Sequence, residues 1–290
     1  MYRTYGITSL HEFLQDFVVY RNLIPMDERL PTFEALRSSL GLEDEPLPRK
    51  AELNYGRVVA VMLRQARALD MSPLSRPLIK RLIYIGDTRM NDGTAFRNLC
   101  EAGGWPGWAF IGHEALSSPP SVDLESLSGL EGQLYLANRW SALFDFVPFV
   151  EREGFALDAE TAVVIDIDKT AIGARGRNDA VINAARVEGV RRTVADLLGA
   201  AFDAEAFRTA YDALNQPRYH TFTADNQDYL AYICLILGTG LLALDDLRRQ
   251  VENGAIDSFE DFIALVERRR DELGQSGLIS IHDAVWQRVQ

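Results

Sequence analysis

Two aspartates spaced two apart stand at the end of an apolar run, in Val163-Val164-Ile165-Asp166-Ile167-Asp168-Lys169-Thr170. Side chains alternate along a strand, so Asp166 and Asp168 share one face for as long as the chain stays extended. Carboxylates brought together and buried repel each other and lose hydration, and a proton or a cation relieves both penalties. A divalent metal is the expected partner; the alternative is that the two acids only close the strand and cap the following turn. A second apolar run, Leu78 to Ile85, ends in Gly86-Asp87-Thr88-Arg89-Met90-Asn91-Asp92-Gly93. Two strand ends carrying paired acids make a plausible cluster for a hard cation with oxygen ligands.

These acids need a sheet to hold them. Ser9 is positioned to cap a helix from Leu10 to about Asn22, ended by Pro25, and a short helix starts near Pro31. The Pro-rich, charged stretch from Gly41 to Lys50 reads as an exposed loop, followed by a helix from about Ala51 to Leu69. After the strand Leu78–Ile85, a helix runs from about Thr94 to Ala102, and Trp108–Gly112 forms a third strand. Residues 113–133, rich in Ser, Pro, Gly and Glu, read as a surface loop, and a helix from about Leu136 to Glu153 leads into the Asp166 strand. Gly173 to Asn178 reads as a flexible turn. Helical periodicity then continues to about Leu273, and Gly277–Ile281 is expected to return as a further strand. This alternation predicts an α/β fold with a parallel, Rossmann-like sheet flanked by helices, whose ligands sit at the carboxyl ends of the strands.

The chain has 290 residues, 47% of them hydrophobic, enough for a sizeable core. Its formal charge of −12 argues against nucleic-acid and anionic-membrane surfaces, which attract basic clusters. Cys100 and Cys234 show no metal-ligand spacing and are expected to be reduced and buried. His11, His113, His220 and His282 likewise have no metal-ligand pattern, and Trp105 and Trp108 read as packing residues. Arg218, Tyr219 and His220 read as part of a helix connection, with contact to a substrate as the alternative. The N-terminus lacks a signal-peptide pattern, which points to a cytoplasmic protein. The longest nearly uncharged run, Tyr229 to Leu244, is shorter than the ~20 residues a bilayer needs and reads as a buried helix.

The two acidic loops resemble those of the haloacid dehalogenase (HAD) superfamily of phosphatases and phosphotransferases. Asp166-Ile167-Asp168-Lys169-Thr170 is similar to its DxDxT motif, and Gly86-Asp87 to Asp92 is similar to its GDxxxxD motif. The family's order is reversed here, as a circular permutation of the sheet would produce, because a site made at strand ends depends on their positions in space. The resemblance implies a HAD-like core at 1–172 together with 276–290, and a helical cap subdomain at 173–275.

It implies a Mg²⁺-dependent phosphohydrolase acting on a small phosphorylated metabolite. Asp166 would be the nucleophile and Asp168 the general acid and base. Mg²⁺ would be held by Asp166, the backbone carbonyl of Asp168, and Asp87, with Asp92 as ligand or outer partner, while Thr170 and Arg49 would line the substrate site. The family also uses a lysine at the nucleophile, and the lysines here are Lys50, Lys80 and Lys169. Lys80 opens the strand that ends at Asp87, so at about 3.3 Å per residue it lies roughly 20 Å from the acids. Lys169 is expected to point away from them. Lys50 precedes a helix whose N-terminus, packed antiparallel to that strand, would lie at the carboxyl edge of the sheet. Lys50 is therefore the preferred residue; the alternative is that Arg49 and Lys50 are a solvated loop pair. The family's strand-end Ser or Thr has two candidates, Thr8 and Ser280. The rival expectations are a non-catalytic binding or regulatory module, phosphotransfer, and dehalogenation, the last disfavoured because a carbon–halogen bond gives Asp168 no oxygen leaving group to protonate.

Overall fold

The computed structural model describes residues 17–20, 22–70, 77–198, 203–223, 226–274 and 277–289. The chain divides into two units, Met1–Ala180 and Val181–Gln290. The first contains α1 (Phe33–Leu40), α2 (Leu53–Asp70), β1 (Arg81–Gly86), α3 (Asn91–Gly103), β2 (Gly107–Gly112), β3 (Val122–Ser126), β4 (Gly132–Ala137), α4 (Leu143–Arg152) and β5 (Thr161–Ile165).

The strands form one sheet in the order β3-β4-β2-β1-β5, parallel except for β3, which runs antiparallel to β4 at one edge. Strand alternation divides its apolar residues between two cores. Leu82, Tyr84, Ala109 and Ile111 pack with Ala60 of α2 and with Phe96 and Leu99 of α3. Ile83, Trp108, Phe110 and Tyr135 face the other way, against Phe146 and Val150 of α4. Trp105 and Trp108 are thus packing residues, one in each core. Helices α2 and α3 approach closely at Gly56, where a Cβ would lie 2.3 Å from the Asn98 carbonyl oxygen. In the strand register Ile85 stands opposite Ile165, so β1 and β5 end level, side by side.

Several expectations need correction. Residues 10–16 of the first expected helix lie outside the described residues, and Val19 forms a bridge with Pro25 instead of continuing a helix. The stretch expected to be a loop contains β3 and the start of β4, because Gly132–Ala137 buries Leu134, Tyr135 and Ala137 against the strand beside it. The helix expected from Leu136 accordingly starts only at Leu143. Past β5 the chain does not remain extended. Asp166 N–H still bonds the Ile85 carbonyl (2.9 Å), then Ile167–Ala171 winds into one wide turn with Lys169 at φ 53°.

The second unit is helical. After α5 (Asp179–Leu198), which starts at the boundary, come α6 (Ala204–Leu214), α7 (His220–Thr223), α8 (Gln227–Gly238), α9 (Leu244–Glu252), α10 (Phe259–Glu267) and α11 (Gly277–Val289). The expected buried apolar helix is α8, which buries Tyr232 to Leu237. Gly277–Ile281 does not rejoin the sheet as a strand. Its Leu-Ile-Ser-Ile alternation belongs to a longer helical repeat in which Leu278 and His282, four apart, are wholly buried in the helical core. His282 is bracketed there by Tyr232 Oη (2.5 Å) and Glu267 Oε2 (2.6 Å). Both cysteines are free and buried. Among the described residues, no helix is long and apolar enough to cross a membrane.

Candidate functional site

The level ends of β1 and β5 bring the two acidic loops together. Asp87, Asp92 and Asp166 each offer an oxygen, all within 4.8 Å of one another, a group that could hold a metal ion. Gly86 lets this happen: a Cβ there would lie 2.5 Å from that of Asp92, so only a glycine lets the first turn of α3 fold back beneath the strand end.

Lys50 arrives from a third stretch of the chain. Its Nζ donates to Asp92 Oδ1 (2.6 Å) and Asp166 Oδ1 (2.5 Å). The turn before α2 is held in place by Asn98 of α3, whose side-chain amide donates to the Lys50 carbonyl (3.0 Å). Burial works against a charged ammonium, but the Asp92 and Asp166 carboxylates outweigh it and hold Lys50 well above its ordinary value.

The three carboxylates are not equivalent. Asp92, only 2% exposed, accepts Lys50 Nζ and Tyr84 Oη (3.0 Å) on one oxygen, and the N–H groups of Asp87 and Thr88 (3.0 Å each) on the other. All four lone-pair directions of this carboxylate are occupied. Burial opposes its ionisation, but Lys50 and the two backbone donors more than compensate, so Asp92 stays below the usual carboxylate range. Asp87 accepts the Thr88 hydroxyl (3.1 Å) and Arg175 Nη1 (3.3 Å). Burial and the nearby Asp92 push it up to about 7 despite Arg175. Asp166 is also raised, by burial and by Asp92 working against Lys50. Three acids against two cations therefore leave charge unbalanced at Asp87 and Asp166. The Thr170 hydroxyl faces Asp166 and favours its charged form, although Oγ1 is buried with no hydrogen bond of full geometry among the described residues.

Of the residues expected at a site, Asp87, Asp92, Asp166 and Lys50 converge, with Thr170 beside them. The Asp168 side chain is exposed and outside the acid group, because the chain has left the strand by that point. Arg49 is half-buried next to Lys50 and lends its carbonyl to the turn, accepting Glu52 N–H (2.8 Å). Lys80 pairs with Glu160 (2.7 Å) and Lys169 with Asp179 (3.9 Å). Thr8 lies outside the described residues, and Ser280 is on α11, in the other unit and at no strand end.

Three contributors were not foreseen. Tyr84 could have been found by alternation, since it shares a sheet face with Leu82 and lies two residues before the Gly86 bend. Thr88 follows directly on Asp87. Arg175 sits in the stretch expected to be flexible, yet that stretch is pinned: the Arg175 carbonyl accepts Glu114 N–H (2.9 Å) and Trp140 Nε1–H (3.1 Å). No known protein family, curated protein or solved structure matches the chain.

Proposed function

We propose that this chain is a Mg²⁺-dependent phosphohydrolase of the HAD type, acting on a small phosphomonoester through an aspartyl-phosphate on Asp166. The observation that carries this reading is the convergence of Lys50, Asp87, Asp92 and Asp166 from three separate stretches onto the ends of two adjacent parallel strands. The DxDxT-like and GDxxxxD-like motifs meet in space in an order that the resemblance requires to be permuted. In an acidic chain, Lys50 and Arg175 also supply local positive charge for an anionic substrate.

The donor set fits a hard divalent cation. Asp87 and Asp166 have free lone pairs and a charge imbalance, whereas Asp92 is fully committed to donors and serves as the anchor that aims Lys50. Bound there by Asp87, Asp166 and the Asp168 carbonyl, the cation would neutralise the acids and offset charge on the transferring phosphoryl group. Asp166 attacks phosphorus, and the ester P–O bond breaks as Asp168 gives a proton to the leaving oxygen. Asp168 then takes a proton from water, the hydroxide attacks phosphorus, and the bond to Asp166 breaks to release inorganic phosphate. Lys50 favours the ionised form of Asp166 and orients it for the attack.

A second reading, a module that binds metal and phosphate without turnover, draws on the exposed Asp168 carboxylate. Hydrolysis of a panel of aryl and sugar phosphates, with and without Mg²⁺, separates the two. The enzyme reading expects metal-dependent turnover that Asp166→Asn lowers by about a thousandfold or more. Absence of turnover across the panel, with Mg²⁺ still bound, supports the binding module, and activity that survives Asp166→Asn removes the nucleophile assignment.

A further inference from the structure

Arg175 combines a backbone held on both sides with a side chain that reaches the acid group. Its N–H donates to the Lys169 carbonyl (2.8 Å), and its carbonyl accepts Glu114 N–H and the Trp140 indole. The next residue, Gly176, has φ +85°, and a Cβ there would meet the Glu114 carbonyl oxygen at 2.2 Å, so the backbone is locked against the loop after β2. The side chain reaches from this mount to Asp87, with Nη1 3.3 Å from Oδ2 and 3.0 Å from the Thr88 hydroxyl. The Arg175 side chain is 26% exposed and so reaches solvent, where the Asp87 side chain is only 9% exposed.

Resting on the metal-centre reading above, we propose that Arg175 is the anion-recognition residue of the site, parked on Asp87 in the ligand-free protein and transferred to phosphoryl oxygens once Asp87 is given to a divalent cation. A guanidinium and a divalent cation compete for the same carboxylate, so Arg175 opposes metal binding when no anion is present. A phosphoryl group offers several acceptor oxygens that the planar guanidinium fork can engage together. Drawing Arg175 onto phosphate frees Asp87, so phosphate and metal each tighten the binding of the other through this residue. The pinned backbone confines the motion to the side chain.

The test is Mn²⁺ binding, followed by electron paramagnetic resonance and calorimetry with no turnover involved, for wild type, Arg175→Ala and Arg175→Lys, each with and without inorganic phosphate. The backbone hydrogen bonds of residue 175 do not require its side chain, and circular dichroism verifies folding. Without phosphate, Arg175→Ala binds Mn²⁺ about tenfold more tightly than wild type. Phosphate tightens Mn²⁺ binding to wild type several-fold, does so little in Arg175→Ala, and does so partially in Arg175→Lys, which keeps the charge but not the fork. Unchanged or weaker Mn²⁺ binding by Arg175→Ala overturns the parked state. Equal tightening by phosphate in wild type and Arg175→Ala overturns the transfer to the anion. Wild-type protein that binds no Mn²⁺ rejects the metal-centre reading and the proposal together, a result distinct from either.

Discussion

Replacing Asp92 by asparagine exchanges a carboxylate for a group of nearly the same shape, and the structure sets how much that costs. Each Asp92 oxygen accepts two donors: Lys50 and Tyr84 on one, and the Asp87 and Thr88 amides on the other. An asparagine has one oxygen and one NH₂, so either orientation turns a donor towards a donor pair. The variant also removes a charge from a buried pair in which Asp92 is 2% exposed and Lys50 31% exposed, leaving Lys50 with Asp166 alone. Breaking such a pair costs about 3 to 5 kcal/mol. With a urea slope of about 2 kcal/mol/M, the unfolding midpoint falls by about 1.5 to 2.5 M. Tyr84→Phe removes only one of the four donors and costs ~1 kcal/mol. Trp105, Trp108 and Trp140 lie in the N-terminal unit, and their fluorescence in urea follows its unfolding. An Asp92→Asn loss below ~1 kcal/mol, or one no larger than that of Tyr84→Phe, would refute the idea of Asp92 as the saturated anchor of the site.

Gly86→Ala drives a methyl group into Asp92, where the Cβ approach is 2.5 Å, and is expected to destabilise the N-terminal unit by at least ~2 kcal/mol; a midpoint equal to wild type would contradict the close approach. Asp87 keeps its proton up to about 7 in the folded protein, against about 4 for an ordinary carboxyl. The folded state therefore holds more protons than the unfolded one between these values, and the contribution of Asp87 to metal-free stability is lost as pH rises from 4 through 7. Urea midpoints in a chelator at pH 5 and pH 8 should fall more steeply for wild type than for Asp87→Asn, and parallel changes would reject this. Leu278→Ala, at a wholly buried position on α11, should cost about 2 to 5 kcal/mol in the helical unit, measured by the urea dependence of its helical circular dichroism. A cost under ~1 kcal/mol would argue against the packing of α11 in that core.

The acids and the strands bearing them were legible because apolar runs ending in Gly-Asp or Asp-x-Asp leave few alternatives, and Lys50 followed from the direction of α2 relative to β1. What escaped was decided by partners remote in sequence. β3 alternates exposed apolar and acidic residues (Val122, Asp123, Leu124, Glu125) within a Ser- and Pro-rich stretch, and it is a strand because β4 lies beside it. The C-terminal Leu-Ile-Ser-Ile fits both periods over four residues, and only the eleven that follow Leu278 reveal the helix. Arg175 sits among glycines that suggest mobility, whereas Glu114 and Trp140, far away in the chain, hold its backbone. The strand expected to carry both Asp166 and Asp168 stops short of them for a local reason, since pairing with β1 ends at Asp166 and the chain then turns.

In the proposed reaction Asp166 carries the phosphoryl group. Rapid acid quenching during turnover of an aryl phosphate with Mg²⁺, followed by peptide mass spectrometry, tests it directly. The expected result is the mass of one phosphoryl group on the peptide containing Asp166, localised to that residue, labile to hydroxylamine and absent from Asp166→Asn. Turnover in which Asp166 stays unmodified while another residue is phosphorylated, or in which Asp166→Asn is as active as wild type, would contradict it.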